Sequence, residues 1–346
     1  MRIADILKHS ATVTALCALA VPSVSMAKSP GDSYSFLNIS TSTHAYALGG
    51  SGAAVIDDDV TLTDQNPALL GPEIESQLAV NYMHYLAGSN FAGARFGHSA
   101  GEHSAWAAGI RYLNFGSITG FEADGTETGT FTPQDIVFEG TYSRDINSYF
   151  RGGINLKMVY SNYEQYTAFA MAADLGINYY YDVYDLSLSL VLRNMGGQLK
   201  RFDKRHASMP FEIELAYMQG LGNSPFSLAI TATDLTHWRL PYYNHDQQDA
   251  ENRQAEKQSF GSDLMRHLIF GLQYNPNEKF YIALGYNNRV RTDMSSYHRN
   301  FLSGWSVGAG FKVKSFGVSL AYAQPHASGS TLMVNLSMNF AELMNR

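Results

Sequence analysis

The chain has 346 residues, 24 Lys and Arg against 31 Asp and Glu, and a formal charge of −7. Phosphate neutralisation needs clustered cations, so this acidic balance excludes nucleic acid as the ordinary partner. Cys17 is the single cysteine, which excludes disulfides and Cys-zinc sites from everything after it.

Arg2 and Lys8 precede a short apolar run, Ala11 to Val24, and Ser25-Met26-Ala27 then places small residues before a break. This is the pattern of a secretory signal peptide over residues 1–27, cleaved after Ala27. The run is too short to span a bilayer. Leu16 stands where a lipoprotein site wants a small residue, which argues against lipidation of Cys17.

Residues 28–75 form a prelude containing Asp57-Asp58-Asp59 and, shortly after, Asn66-Pro67. Adjacent carboxylates suit calcium, but the Gly and distal Glu of a calcium loop are missing, so no metal is expected. Asn66 is a good N-cap, and Pro67 sits where a missing N–H costs nothing. The prelude therefore reads as a polar segment folded into a lumen, with Asp57, Asp58, Asp59, Asn66 and Pro67 as structural residues.

From residue 76 to 340 the chain alternates with period two. Ile154, Leu156, Met158 and Tyr160 share one face, and Asn155, Lys157, Val159 and Ser161 share the other. About fourteen such runs occur, centred from Val80 to Leu336, of which the Ala- and Gly-rich run near Ala94 is weakest. Tight connections, as at Gly222-Asn223-Ser224, alternate with long ones at residues 116–132, 196–208, 236–263 and 291–300. Charged residues are 16% of the chain and aromatics 13%, and several apolar faces finish in Tyr. An all-β, transmembrane outer-membrane β-barrel of about fourteen antiparallel strands is expected, with the long loops outward and residues 341–346 as a tail. Glu212, Glu214, Arg151, Lys157, Arg193 and Lys312 should line the lumen as ion pairs.

Two outward loops carry candidate binding residues. Trp238, Arg239, Tyr242 and Tyr243 are residue types that anchor interfaces, and suggest partner binding. Lys200, Arg201, Lys204 and Arg205 cluster as cations, and suggest contact with lipopolysaccharide phosphates. No nucleophile elbow or His-Glu-x-x-His helix is read, so catalysis is not expected.

The stretches SYSFLNISTSTHAYALGG (Ser33 to Gly50), DDDVTLTDQNPALL, LVLRNMGGQLKRF (Leu190 to Phe202), MPFEIELAY, LMRHLIFGLQYNP and FYIALGYNNRVR resemble the PorQ family. PorQ proteins are outer-membrane components of the Bacteroidetes type IX secretion system. The resemblance covers nearly all of the chain after the leader, whereas ALGG, DDD and NPALL alone are shared with FadL-type transporters and PorV barrels. Members often carry Arg at the place of His44, and the chain runs on past Phe340, where many barrels end in an aromatic. The resemblance implies a non-enzymatic FadL-like barrel without cofactors. It would hold a PorZ-type surface protein beside a sortase-like protease and PorV, where cargo is joined to anionic lipopolysaccharide. The alternative is a FadL-like transporter of small hydrophobic molecules, with the prelude as a movable hatch. A transporter should have an apolar pocket and a kinked strand; an anchor should have a filled interior and conspicuous loops.

Overall fold

The computed structural model describes residues 34–122, 124–202, 207–240, 259–293, 302–326 and 329–344. The strands in chain order are β1 Gln77–His84, β2 Asn90–Ser99, β3 Ser104–Asn114, β4 Ile118–Phe121, β5 Glu127–Phe131, β6 Gln134–Asp145, β7 Phe150–Tyr163 and β8 Tyr166–Tyr181. They continue as β9 Leu186–Lys200, β10 Glu212–Gly220, β11 Phe226–Ala232, β12 Leu268–Asn277, β13 Phe280–Asn287, β14 Trp305–Val313, β15 Phe316–His326 and β16 Gly329–Asn339. Short helices are α1 Thr43–Ala47, α2 Phe260–His267, α3 Asn288–Asp293 and α4 Phe340–Met344.

Fourteen strands close into one antiparallel barrel, and β4 and β5 form a separate hairpin. The seam pairs β1 with β16 from Gln77 opposite Asn339 to His84 opposite Leu332, so the barrel itself leaves no open strand edge. Alternation decides which face meets what. Leu156 is 53% exposed and Met158 44%, while Lys157 between them is 0% exposed. Apolar side chains thus form the outer band and polar ones line the lumen, the inverse of a soluble protein and the arrangement a bilayer stabilises. Among the described residues no helix is long and apolar enough to cross a membrane, which says nothing of the barrel strands.

Residues 34–75 lie against the lumen-facing side chains, where buried donors and acceptors of the polar wall find partners. His44 Nε2 meets Gln273 Oε1 at 2.8 Å, and Ser306 donates to the Ala47 carbonyl at 2.8 Å. Asn66 Nδ2 donates to Ser189 at 3.0 Å, and Ser51 donates to Glu214. Asn287 on β13 donates to the Gly49 carbonyl at 3.2 Å, while Thr331 on β16 meets the Tyr46 hydroxyl. Two wall glycines make the close approach possible: a Cβ on Gly153 would overlap the Pro67 backbone, and one on Gly176 the Asn66 amide. On β2, a Cβ on Gly97 would press on Val60 at 2.7 Å, so the small residues that blur this strand's pattern seat the segment.

The structure differs from the sequence reading in several places. Residues 116–132 are not an irregular loop but contain the β4–β5 hairpin. Residues 236–263 include the start of α2, capped by Ser259, whose Oγ accepts from the Ser262 N–H at 3.3 Å. The β7–β8 connection lies on the rim of the long connections yet is tight, because Tyr163 pairs directly with Tyr166 across two residues. Finally β9 bulges: Ala173 faces Met195 and Leu175 faces Leu192, so Arg193 and Asn194 together oppose Asp174. Asn194 adopts φ 55°, and both side chains turn inward, which strict alternation forbids.

Candidate functional surfaces

The three adjacent aspartates hold three different positions. Asp57 Oδ1 accepts from Lys312 Nζ at 2.6 Å and Oδ2 lies 3.1 Å from His44 Nδ1, whose ring stacks on Tyr281 at 3.9 Å. Burial alone would raise the Asp57 carboxyl, but the His44 hydrogen bond and the Lys312 ammonium outweigh it and hold it well below the usual carboxylate range. Asp58 is exposed, and Asp59 caps the following turn by accepting from the Thr61 N–H at 2.9 Å. Among the described residues no group of His, Cys, Asp and Glu could hold a metal ion. Asn66 accepts from the Ala68 N–H at 2.9 Å with Pro67 at the first position of a short 3-10 turn.

Deeper in the lumen, Arg111 bridges Asp64 of the N-terminal segment and Glu139 of β6, and Glu139 also binds Arg95. Lys157 Nζ lies 2.7 Å from Asp174 and donates to Asn194 Oδ1 at 2.9 Å. Arg193 and Glu214 pair at 3.5 Å, with Arg193 Nε and Nη2 making no hydrogen bond among the described residues. The named cations Arg95, Arg111, Lys157 and Arg193 thus face the carboxylates Asp64, Glu139, Asp174 and Glu214. Pairing of this kind offsets the cost of taking each charge out of water. One cavity between the N-terminal segment and the β1–β3 wall, at Phe36, Ile39, Met83 and Leu113, has a volume of about 10 Å³, room for about one water.

On the rim that carries the long connections Trp238 is 40% exposed and joins two rings of α2 that the sequence reading left out. It stacks on Phe260 at 5.3 Å and on His267 at 5.2 Å. His267 Nε2 lies 3.0 Å from the Trp238 carbonyl, and Arg266 donates to the buried Leu240 carbonyl at 2.7 Å. Ser259 with Asp263 in the first turn, and apolar Phe260 and Leu264 one turn apart, were the available helix signals. Arg239 is exposed beside this stack, and Tyr242 and Tyr243 lie outside the described residues.

Lys200 and Arg201 are exposed at the outer end of β9, with Lys200 donating to Thr167 Oγ1 at 2.5 Å; Lys204 and Arg205 lie outside the described residues. Below them Gln198 accepts from the Ala207 N–H and donates to the Tyr34 hydroxyl, both at 3.0 Å. This ties the outer loop to the start of the interior segment.

The letters Gly304-Trp305-Ser306-Val307-Gly308 do spell a nucleophile elbow, which the sequence reading passed over. That motif needs a sharp strand-to-helix turn, whereas Ser306 is buried within β14 with its hydroxyl committed to Ala47.

Several solved structures align over most of the chain. The Ralstonia pickettii toluene transporter TbuX has a TM-score of 0.51 at 12% identity, covering 87% of this chain and 98% of that one. The Pseudomonas putida toluene transporter TodX has a TM-score of 0.52 at 12% identity, covering 88% and 99%. The fold is that of the FadL-like outer-membrane barrels. The CymD monoaromatic hydrocarbon channel shares it, with a TM-score of 0.50 at 12% identity over 88% and 97%. No family model matches the chain, and no curated protein matches it. Identities this low show the fold alone, so the lumen and loops must be read for themselves.

Proposed function

We propose that this chain is a non-enzymatic outer-membrane barrel that anchors a surface protein. It would do so as a PorQ-like part of the type IX attachment complex, reached through a cleaved signal peptide. The observation that carries this reading is the lumen. Residues 34–75 bond to both halves of the wall, and the charged layer beneath is paired rather than open. Work then falls to the outward surface: the Trp238 stack for a PorZ-type partner, and the cations at Lys200 and Arg201 for lipopolysaccharide. The sortase-like protease and PorV are the neighbours this reading supplies.

A second reading is transport of small hydrophobic molecules, with residues 34–75 as a movable hatch. The comparisons support it more directly than the anchor, since TbuX and TodX are described as toluene transporters. The bulge at Arg193-Asn194 supports it too, as an irregularity in the wall.

Purification from outer membranes in mild detergent through a C-terminal tag, with mass spectrometry of what accompanies the barrel, separates the two. The anchor predicts a large surface protein that is lost when Pro241 to Gln258 is replaced by a short Gly-Ser link. A barrel recovered alone, taking up labelled toluene in proteoliposomes, would give the protein to the second reading.

A further inference from the structure

The β4–β5 hairpin folds beside the tight outer end of β7 and β8 and leaves a cleft of about 470 Å³. Its walls are Phe115, Ile118, Phe131, Pro133, Tyr163 and Tyr166, and one charged group, Glu164, completes the lining. The rings are held rather than loose. Tyr163 stacks on Phe202 at 4.9 Å, meets Phe115 edge-on at 6.2 Å, and donates its hydroxyl to Asp135 at 2.8 Å. Tyr166 is 45% exposed and Ile118 43%, so apolar surface is kept open to the outside.

Glu164 is the unexpected member. It adopts φ 56° in the two-residue turn, a conformation that costs a residue with a Cβ about 1 kcal/mol and that Asn or Gly takes more easily. It makes no ion pair among the described residues, and Lys200 on the neighbouring strand is engaged on Thr167 instead. Aromatic faces carry negative quadrupole potential, and a carboxylate at their rim adds to it, so the cleft is built for a cation on an apolar stem.

We infer that this cleft seats a lysine or arginine side chain of the surface protein that the barrel anchors. The inference rests on the anchor reading for its partner, but the chemistry of the cleft is testable without that partner. The stem would pack on Ile118, Phe131 and Pro133, and the charged head would lie between Tyr166 and Glu164.

The test uses the full barrel in detergent, with Nα-acetyl-arginine amide and toluene as probes followed by saturation-transfer NMR. The arginine probe should bind wild type, weaken at least tenfold in Glu164→Gln, and be unchanged in Glu122→Gln, which removes an equal charge from the exposed hairpin. Glu164→Gly keeps the turn and relieves its strain, so it should lose the arginine probe as Glu164→Gln does. Equal binding to wild type and Glu164→Gln, or equal loss in Glu122→Gln, would overturn the inference. So would binding of toluene alone, which would make the cleft a hydrophobic ligand site. Failure of the anchor reading looks different: wild-type barrel would then carry no surface protein at all, whatever the arginine probe does.

Discussion

Asp64 of the N-terminal segment and Arg111 of β3 are buried together inside the barrel, and the same guanidinium binds Glu139. The segment is thus fixed to the wall by a buried charge pair. Removing one member strands the others. Asp64→Asn or Arg111→Met should each cost about 3–5 kcal/mol. The double variant should cost clearly less than the two losses added, because it leaves fewer orphaned charges. Unfolding midpoints in detergent, read from the heat-dependent gel shift of the barrel, give the three values. Additive losses would mean that the pair is not coupled.

The same pairs set a pH dependence. Burial raises the Asp64 carboxyl, but Arg111 and then Arg95 outweigh it and hold it below its usual range, as His44 and Lys312 do for Asp57. A carboxyl depressed in the folded state stabilises fully above its unfolded value of about 4, and that contribution fades as pH falls from there toward the depressed value. The segment should therefore hold from pH 7 to about 5 and loosen below about 4. Limited digestion with an acid-active protease across that range reads the change, and Asp57→Asn should flatten part of it. A segment equally protected at pH 3 and pH 7 would contradict the assignment.

Seating also depends on shape. Gly153 and Gly176 stand on adjacent strands where the Asn66-Pro67 turn touches the wall. Gly176→Val leaves the barrel's hydrogen bonds in place but drives a side chain into Asn66, so it should displace the segment rather than unfold the sheet. Planar-bilayer recording is the direct measure, with wild type electrically quiet and Gly176→Val conducting. A quiet variant would show that the segment gives way without opening the lumen.

The wall was legible because period-two alternation is a local property: each strand declares its lipid face from its own residues. All of the fourteen runs read from sequence are barrel strands, including β2, whose Ala and Gly residues hide its faces. The β4–β5 hairpin was also within reach, since Asp124-Gly125 between alternating residues is a hairpin signal. The Arg193-Asn194 bulge was not, because it answers to Asp174 and Lys157 on other strands. Partners of Asp57 illustrate the same limit: Lys312 lies 255 residues away, and no local pattern pairs them. Trp238 was singled out by residue type alone; only the fold brings Phe260 and His267 to it.

That stack supplies the last prediction. Trp238 lies between two rings and still keeps two fifths of its surface open, so it is both a fixed part of the rim and a contact for something outside. Trp238→Phe should retain most of the stacking, whereas Trp238→Ala removes it at a cost of about 1 kcal/mol of local order. The barrel itself should be indifferent, because the ring sits beyond the hydrogen-bonded wall, and the unfolding midpoint of both variants should match wild type. Partner retention should divide them. If the stack anchors a surface protein, Trp238→Ala should lose it on affinity purification by tenfold or more, and Phe260→Ala, which removes the neighbouring ring, should lose it too. Full retention in both would take the contact away from this rim and place it elsewhere on the outer surface.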